Sequence, residues 1–129
     1  MKLNDRVAIV SAAGRGIGKA IAMSLASEGA TVIVNSYGED TTRATVDAIN
    51  DAGGKAVGMA GDITDPYRIM EVVNTTIKDH GQIDILVNNV GAGPKTTDAP
   101  PSHPLAAVEA TWNALYNQNL LPTVMMSEA

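Results

Sequence analysis

Val7-Ala8-Ile9-Val10-Ser11-Ala12-Ala13-Gly14-Arg15-Gly16-Ile17-Gly18 is the stretch on which the reading of this chain turns. Val7 to Val10 is a short apolar run, and the small-residue string Ser11 to Gly18 ends it. Ile17, Ile21 and Leu25 then recur at helical spacing, so the passage reads strand, glycine turn, helix.

The same alternation continues downstream. Gly29 closes the first helix as a C′ residue, and Thr31-Val32-Ile33-Val34 is a second, β-branched strand. Polar residues Ser36 to Asp40 lead into a second helix with apolar positions at Ala44, Val46, Ala48 and Ile49, closed by Gly53-Gly54. Lys55 to Ala60 is a third strand, interrupted by Gly58. Thr64-Asp65-Pro66 combines capping side chains with a first-turn proline, and Ile69, Val72, Val73, Thr76 and Ile77 trace one helix face down to Gly81. Ile83 to Val87 is a fourth strand. Pro94 to Pro104 reads as a loop, where Lys95 and His103 stand. A last helical pattern carries Leu105, Val108, Trp112, Leu115, Tyr116, Val124 and Met125. Pro122 within it removes the partner of the Gln118 carbonyl, which predicts a kink beside Asn119. The order βαβαβαβα calls for a parallel sheet with helices on both faces. The expected architecture is a Rossmann-like three-layer α/β/α fold with strand order 3-2-1-4, residues 1–129 forming one domain.

Composition narrows the function classes. The 129 residues are 45% hydrophobic and 18% charged, which is globular, and with aromatics at 3% the core must be built from aliphatic residues and Met. Nine Lys and Arg against fourteen Asp and Glu give a net charge of −5 with no basic run, which disfavours nucleic acid. With no cysteine there is no disulfide, thiolate metal site or Cys nucleophile, and His80 and His103 are too far apart in sequence to suggest a metal. No segment approaches the roughly 20 apolar residues of a membrane span, so no membrane partner and a cytoplasmic location are expected.

A glycine turn between a first strand and first helix lets backbone approach a pyrophosphate, whose charge meets N–H groups at the helix N-terminus. The dinucleotide fingerprint G-x-G-x-x-G fails, because Lys19 stands at its last glycine, and the lysine-bearing triphosphate loop is absent. Taken alone, the turn fits a packing role as well. Its combination with Gly61-Asp62-Ile63, Asn88-Asn89-Val90-Gly91 and the Trp112 to Leu120 segment resembles, in order and spacing, the N-terminal half of the short-chain dehydrogenase/reductase family. Ser11, Gly16 and Gly18 match that family's T-G-x-x-x-G-x-G turn, while Ala12 stands where its first glycine belongs.

The resemblance implies a nicotinamide cofactor and hydride transfer with a small alcohol or carbonyl substrate. Ser11, Ala12, Gly14, Arg15, Gly16, Ile17 and Gly18 are implied at the pyrophosphate, Asn35 and Ser36 at the adenosine ribose, and Asp62 and Ile63 at the adenine. Asn89, Val90 and Gly91 are implied on the nicotinamide side, with Asn88 in a structural role. Asn119 matches the asparagine of the catalytic tetrad. The alternatives on the residues themselves are a loop carboxylate capping the next turn for Asp62 and a solvent-facing helix position for Asn119. The second strand ends at Val34-Asn35-Ser36-Tyr37 with no carboxylate before Glu39, and Arg15 offers a partner to a 2′-phosphate, so NADP(H) is expected ahead of NAD(H).

The family's proton donor is a Tyr with a Lys four residues on. Tyr37, Tyr67 and Tyr116 are followed at that spacing by Thr41, Glu71 and Leu120. The expectation is therefore a cofactor-binding half without its own catalysis, or a truncated module that binds nucleotide or only self-associates. The fourth strand is expected at an open edge, and Leu115, Tyr116, Val124 and Met125 offer a surface to a second copy, with core burial the alternative for half of them.

Overall fold

In a computed structural model, which describes residues 1–91 and 112–129, Val7–Val10 forms β1 and is buried at every position. It is followed by α1 (Gly16–Ser27), β2 (Thr31–Val34), α2 (Glu39–Asp51), β3 (Lys55–Gly58), α3 (Pro66–His80) and β4 (Ile85–Val87). The sheet order is β3-β2-β1-β4 and all three pairings are parallel, with Ile9 opposite Ile33 and Leu86. This is the expected Rossmann-like arrangement. The expected loop from Pro94 to Pro104, with Lys95 and His103, and the helical positions Leu105 and Val108 lie outside the described residues.

The two sheet faces bury different side chains because successive residues of a strand point to opposite sides. Val7, Ile9 and Ile33 join Met59, Ile63, Ile69, Val72 and Met126 on one face, under α3 and the last helix. Val10, Val32 and Val34 join Ala22, Ala26 and Ile49 on the other, under α1 and α2. Burying each of the large aliphatic side chains contributes about 2 kcal/mol.

The helices turn faces to the sheet that simple apolar spacing does not single out. In α1 the buried stripe is Gly18, Ala22 and Ala26, while Ile17 is 74% exposed. Small residues let the helix approach the sheet closely, and Ile17, in its first turn, faces outward. In α2 the buried positions are Thr42, Thr45 and Ile49, with Ala44 exposed. The threonines go inward because their hydroxyls are satisfied there: Thr45 donates to the Ala13 carbonyl at 3.0 Å and Thr42 to Gly38 at 2.8 Å. α3 follows its expected face at Ile69, Val72 and Thr76, starts on the Asp65 cap to the Tyr67 N–H, and ends at Gly81 with φ +79. Ile77, at the end of that face, is exposed.

Two strands are shorter than their apolar runs. β4 begins at Ile85 because the Asp84 carboxylate, not a strand carbonyl, takes the Val7 N–H at 2.8 Å. β3 ends at Gly58, although Met59 and Gly61 still donate to the Val34 and Ser36 carbonyls at 2.9 Å. The second edge of β4 carries no strand among the described residues.

Helical residues from Trp112 lead into a π-helical turn, Tyr116–Leu120, and then α4 (Leu121–Glu128). Pro122 is buried in the first turn of α4, and the Leu121 N–H reaches back five residues to the Tyr116 carbonyl. The expected disturbance beside Asn119 thus takes the form of a widened turn that accommodates a proline with no N–H to give. Leu115 and Met125 are half-buried, whereas Tyr116 and Val124 are exposed.

Candidate functional site

Because the strands are parallel, their C-terminal ends lie on one rim, and the loops leaving them share a cleft of about 470 Å³. It is lined by Ala12 after β1, Asn35 and Tyr37 after β2, Gly61 to Thr64 after β3, Val90 and Gly91 after β4, and Ala114 and Gln118 from the last helical segment. Such a crevice at the carboxyl ends of strands is where open α/β sheets bind ligands.

The glycine turn beside it uses each glycine differently. Gly16 has φ +58, and a Cβ built there would have no atom within 4 Å, so its space is open. A Cβ at Gly18 would meet the Ala12 carbonyl and lie 2.6 Å from Asn89 Nδ2, and one at Gly14 would lie 2.5 Å from Ser36 Oγ. Gly18 and Gly14 are therefore packing glycines, and Gly16 is the one that leaves room for something from outside. Behind it, the first turn of α1 has no side-chain cap and no acidic residue. Its leading N–H groups, which a helix leaves without internal partners, are available to an anion.

Ala12 adopts φ +49, in the left-handed region. This is the position where the glycine-rich turn would carry its first glycine, and the conformation is kept although the residue has changed. The Cβ penalty there is about 1 kcal/mol.

Several residues expected at a ligand are engaged by the protein itself. Ser11 is fully buried; its hydroxyl donates to the Val87 carbonyl at 3.2 Å and accepts the Asn89 N–H at 3.0 Å, tying β1 to the end of β4. Asn89 also donates Nδ2 to the Ala12 carbonyl at 3.3 Å. Its side chain thus holds the turn instead of facing the cleft. Asn88 donates to Ser127 Oγ at 3.2 Å, and its Oδ1 is buried without a partner among the described residues. Asn35 is buried on the cleft floor and gives Nδ2 to the Met59 carbonyl at 2.9 Å, which links β2 to the end of β3. Ser36 shares a hydrogen bond with Thr41 Oγ1 at 3.0 Å.

Of the two readings of Asp62, the local turn is the one made in the structure. Its Oδ1 accepts the Thr64 N–H at 2.9 Å and the Thr64 hydroxyl at 2.7 Å, a local turn, while Oδ2 accepts nothing from the described residues. Ile63 is 6% exposed and belongs to the core as well as the cleft wall. Val90 packs on the same core. Asn119 lies in the π turn, and its Oδ1 is 3.9 Å from where a Gly91 Cβ would be, so the structure brings it to the β4 side of the cleft. Arg15 and Ile17 are exposed at the turn, and Arg15 has no ion pair among the described residues.

The cleft also contains residues to which sequence reasoning assigns no place in it, Tyr37, Thr64, Ala114 and Gln118, and Gly61, which it names only within the Gly61-Asp62-Ile63 motif. Thr64 had a signal in the Asp62-x-Thr64 spacing, which favours a local side-chain turn. Gln118 had none, since the π turn resets which residues of that segment share a face. Among the described residues no cluster of His, Asp or Glu is placed to hold a metal, and no helix is long and apolar enough to cross a membrane.

Residues 6–129 match the family model described as short chain dehydrogenase. The chain belongs to that family. Over 101 residues it is 40% identical to 7alpha-hydroxysteroid dehydrogenase of Escherichia coli K12, an alignment covering 78% of this chain and 40% of the relative. Over 87 residues it is 47% identical to the short-chain reductase protein NovJ of Streptomyces niveus, covering 67% and 33%. The solved structure of a metagenomic short-chain oxidoreductase in complex with NADP superposes with a TM-score of 0.85 at 34% identity, over 100% of this chain and 56% of the other. That of 7 alpha-hydroxysteroid dehydrogenase with NADH and 7-oxo glycochenodeoxycholic acid gives 0.84 at 34%, over 98% and 47%. The short-chain dehydrogenases are oxidoreductases with this Rossmann-like core. This chain spans about half the length of the relatives it matches.

Proposed function

We propose that this chain binds NADP(H) along the C-terminal rim of its sheet, as the cofactor-binding half of an oxidoreductase that interconverts an alcohol and a carbonyl compound. The observation that carries the reading is the open space at Gly16, in front of an uncapped α1 N-terminus and next to a cleft of about 470 Å³. A pyrophosphate fits there: backbone N–H groups of the first turn of α1 would hold it, with Gly14 and Gly18 keeping the turn close to the sheet. Asp62 Oδ2 would accept from the adenine amino group, beside Ile63. Asn35, whose Nδ2 is spent on Met59, would shape the ribose floor, with Ser36 at its edge. Val90 and Gly91 line the side where the nicotinamide would lie, with Asn119 next to Gly91. When bound, the cofactor supplies or accepts the hydride.

NADP(H) is favoured over NAD(H) by charge. No carboxylate follows β2 before Glu39, and Arg15 is exposed without an ion pair among the described residues. A 2′-phosphate would find a cation there and no repelling acid. No Tyr in the chain has a Lys four residues on. We expect binding without turnover from these residues alone, and a cytoplasmic location for a protein that uses a soluble cofactor.

Fluorescence titration tests the reading. NADPH is expected to bind saturably and more tightly than NADH, and Arg15→Ala to weaken NADPH by about tenfold while leaving NADH unchanged. No saturable change with either nucleotide up to millimolar concentration would refute it. A second reading, self-association, rests on the edge of β4 that carries no strand among the described residues and on the exposed Tyr116 and Val124. Sedimentation at increasing concentration would show it as a mass above the monomer.

A further inference from the structure

The Gly61 to Thr64 wall of the cleft is held from three sides. The Gly61 N–H donates to the Ser36 carbonyl at 2.9 Å, and Asn35 Nδ2 lies 3.4 Å from the Gly61 carbonyl. The third hold comes from α3, outside the cleft. Arg68 folds back over the loop so that Nη2 donates to the Ala60 carbonyl, while Nη1 pairs with Glu71 Oε2 at 2.7 Å.

The loop is shaped to receive this side chain. Gly61 has φ +148, and a Cβ there would run into Arg68 at Cγ, Cδ and Nε. Arg68 is 25% exposed, although its neighbours Tyr67 and Met70 are 85% and 44% exposed. An arginine on the outer turn of a helix ordinarily extends into water, and folding it inward sacrifices rotamer freedom. Its pair with Glu71, which is 62% exposed, is a surface pair of the kind that contributes little. The contact that uses its burial is the one with the loop.

We propose that Arg68 is a positioning residue for nucleotide recognition. By holding the Ala60 carbonyl and filling the space over Gly61, it sets the position of the next residue, Asp62, which lines the cleft and whose Oδ2 accepts nothing from the described residues. The guanidinium charge is met by Glu71 and faces the loop backbone, so its influence is geometric and confined to the adenine side. The inference rests on the nucleotide reading above, and it adds a residue that touches neither cofactor nor substrate.

The test compares the full chain with its Arg68→Met and Arg68→Lys variants, titrated with NADPH, with 2′,5′-ADP as the adenosine half and with reduced nicotinamide mononucleotide as the other. Arg68→Met keeps the stem and removes the fork. It is expected to weaken NADPH and 2′,5′-ADP by about tenfold, with the mononucleotide unchanged. Arg68→Lys, which puts one nitrogen in place of the two that reach Ala60 and Glu71 separately, is expected to weaken the first two by about threefold. Unchanged NADPH affinity in both variants overturns the proposal, as does an equal loss for the mononucleotide, which would mean general loosening. If Arg68→Met does not fold, Arg68→Lys decides alone, and wild-type affinity there overturns it. Failure of the unsubstituted chain to bind NADPH or 2′,5′-ADP refutes the nucleotide reading and this inference with it.

Discussion

The two rims of the sheet are held by different chemistry. At the N-terminal rim the ties are charged: Asp84 Oδ2 accepts the Val7 N–H and Gln82 Nε2, each at 2.8 Å, and Oδ1 accepts Arg6 Nη1 at 2.9 Å. The Val7 N–H, and after it the Arg6 guanidinium, hold the Asp84 carboxyl below its ordinary value of 3.8. At the C-terminal rim the ties beside the glycine turn are neutral, the Ser11 hydroxyl and the Asn35 and Asn89 amides joining loop to loop, and the charged groups, Arg68 and Asp62, hold the loop after β3 instead. The first turn of α1, which opens onto this rim, carries no acid and no cap. A fixed carboxylate there would compete with an incoming anion for the same N–H groups. Next to that turn, neutral side chains hold the loops without occupying the field of its N–H groups, and the Asp84 tie sits at the opposite rim.

The largest effect expected from disturbing this contrast lies inside the turn. Gly18→Val forces a branched side chain against the Ala12 carbonyl and Asn89 and should destabilise the fold by about 3 kcal/mol. Gly16→Ala meets no atom and should cost about 1 kcal/mol, from its φ alone. Urea denaturation of the two variants measures the difference, and similar losses would show that Gly16 is packed after all. Next in size is a gain. Ala12→Gly relieves the left-handed alanine, and its expected effect is a stabilisation of about 0.5 kcal/mol, because glycine's added freedom in the unfolded chain offsets part of the relief. A variant no more stable than the parent would mean that the turn relaxes around Ala12 at no cost.

The smallest effect should come from the charged rim. Because the folded pKa of Asp84 is depressed, its contribution to stability is present above the unfolded value and lost as pH falls through the folded one. Asp84→Asn should therefore be less stable than the parent near neutral pH, and the two should converge as the pH falls below the ordinary value of 3.8 and through the depressed folded one. A difference that persists unchanged in acid would assign the effect to the loss of the Val7 hydrogen-bond geometry instead of the charge.

Much of the fold is legible in the sequence because its signals are local. Gly29, Gly53 and Gly81 end helices through their own backbone conformation, and Asp65-Pro66 starts one through a side chain two residues from its partner. Pro122 disturbs the turn just before it, next to Asn119, as its missing N–H requires. The site is legible as a place more than as a set of contacts. Ala12, Asn35, Asp62, Ile63, Val90 and Gly91 do line the cleft, yet Ser11 and Asn89 look like ligand groups in sequence and are engaged within the protein, the Ser11 hydroxyl accepting the Asn89 backbone N–H and the Asn89 side chain donating to the Ala12 carbonyl. They are 78 positions apart, so nothing near either residue reveals the partner. The same holds for Ile17, where a regular apolar spacing points inward and the side chain faces water, and for Thr45, whose polarity points outward while the Ala13 carbonyl draws it in.

By itself the sequence determined the order of strands and helices, the turn with its glycines, the parallel sheet and the family, because propensity, capping and backbone freedom act over a few consecutive residues. Only the tertiary structure decided which polar groups hold the scaffold and which remain for a ligand. Gly14, Gly16 and Gly18 are the same residue in one short turn, and what separates two that must be small to pack from one that leaves open space is the neighbours the fold brings to them: Ser36 and Thr41, Asn89 and the Ala12 carbonyl, or nothing. A hydrogen bond or a steric contact depends on distance in space, and that distance exists only once the sheet has assembled.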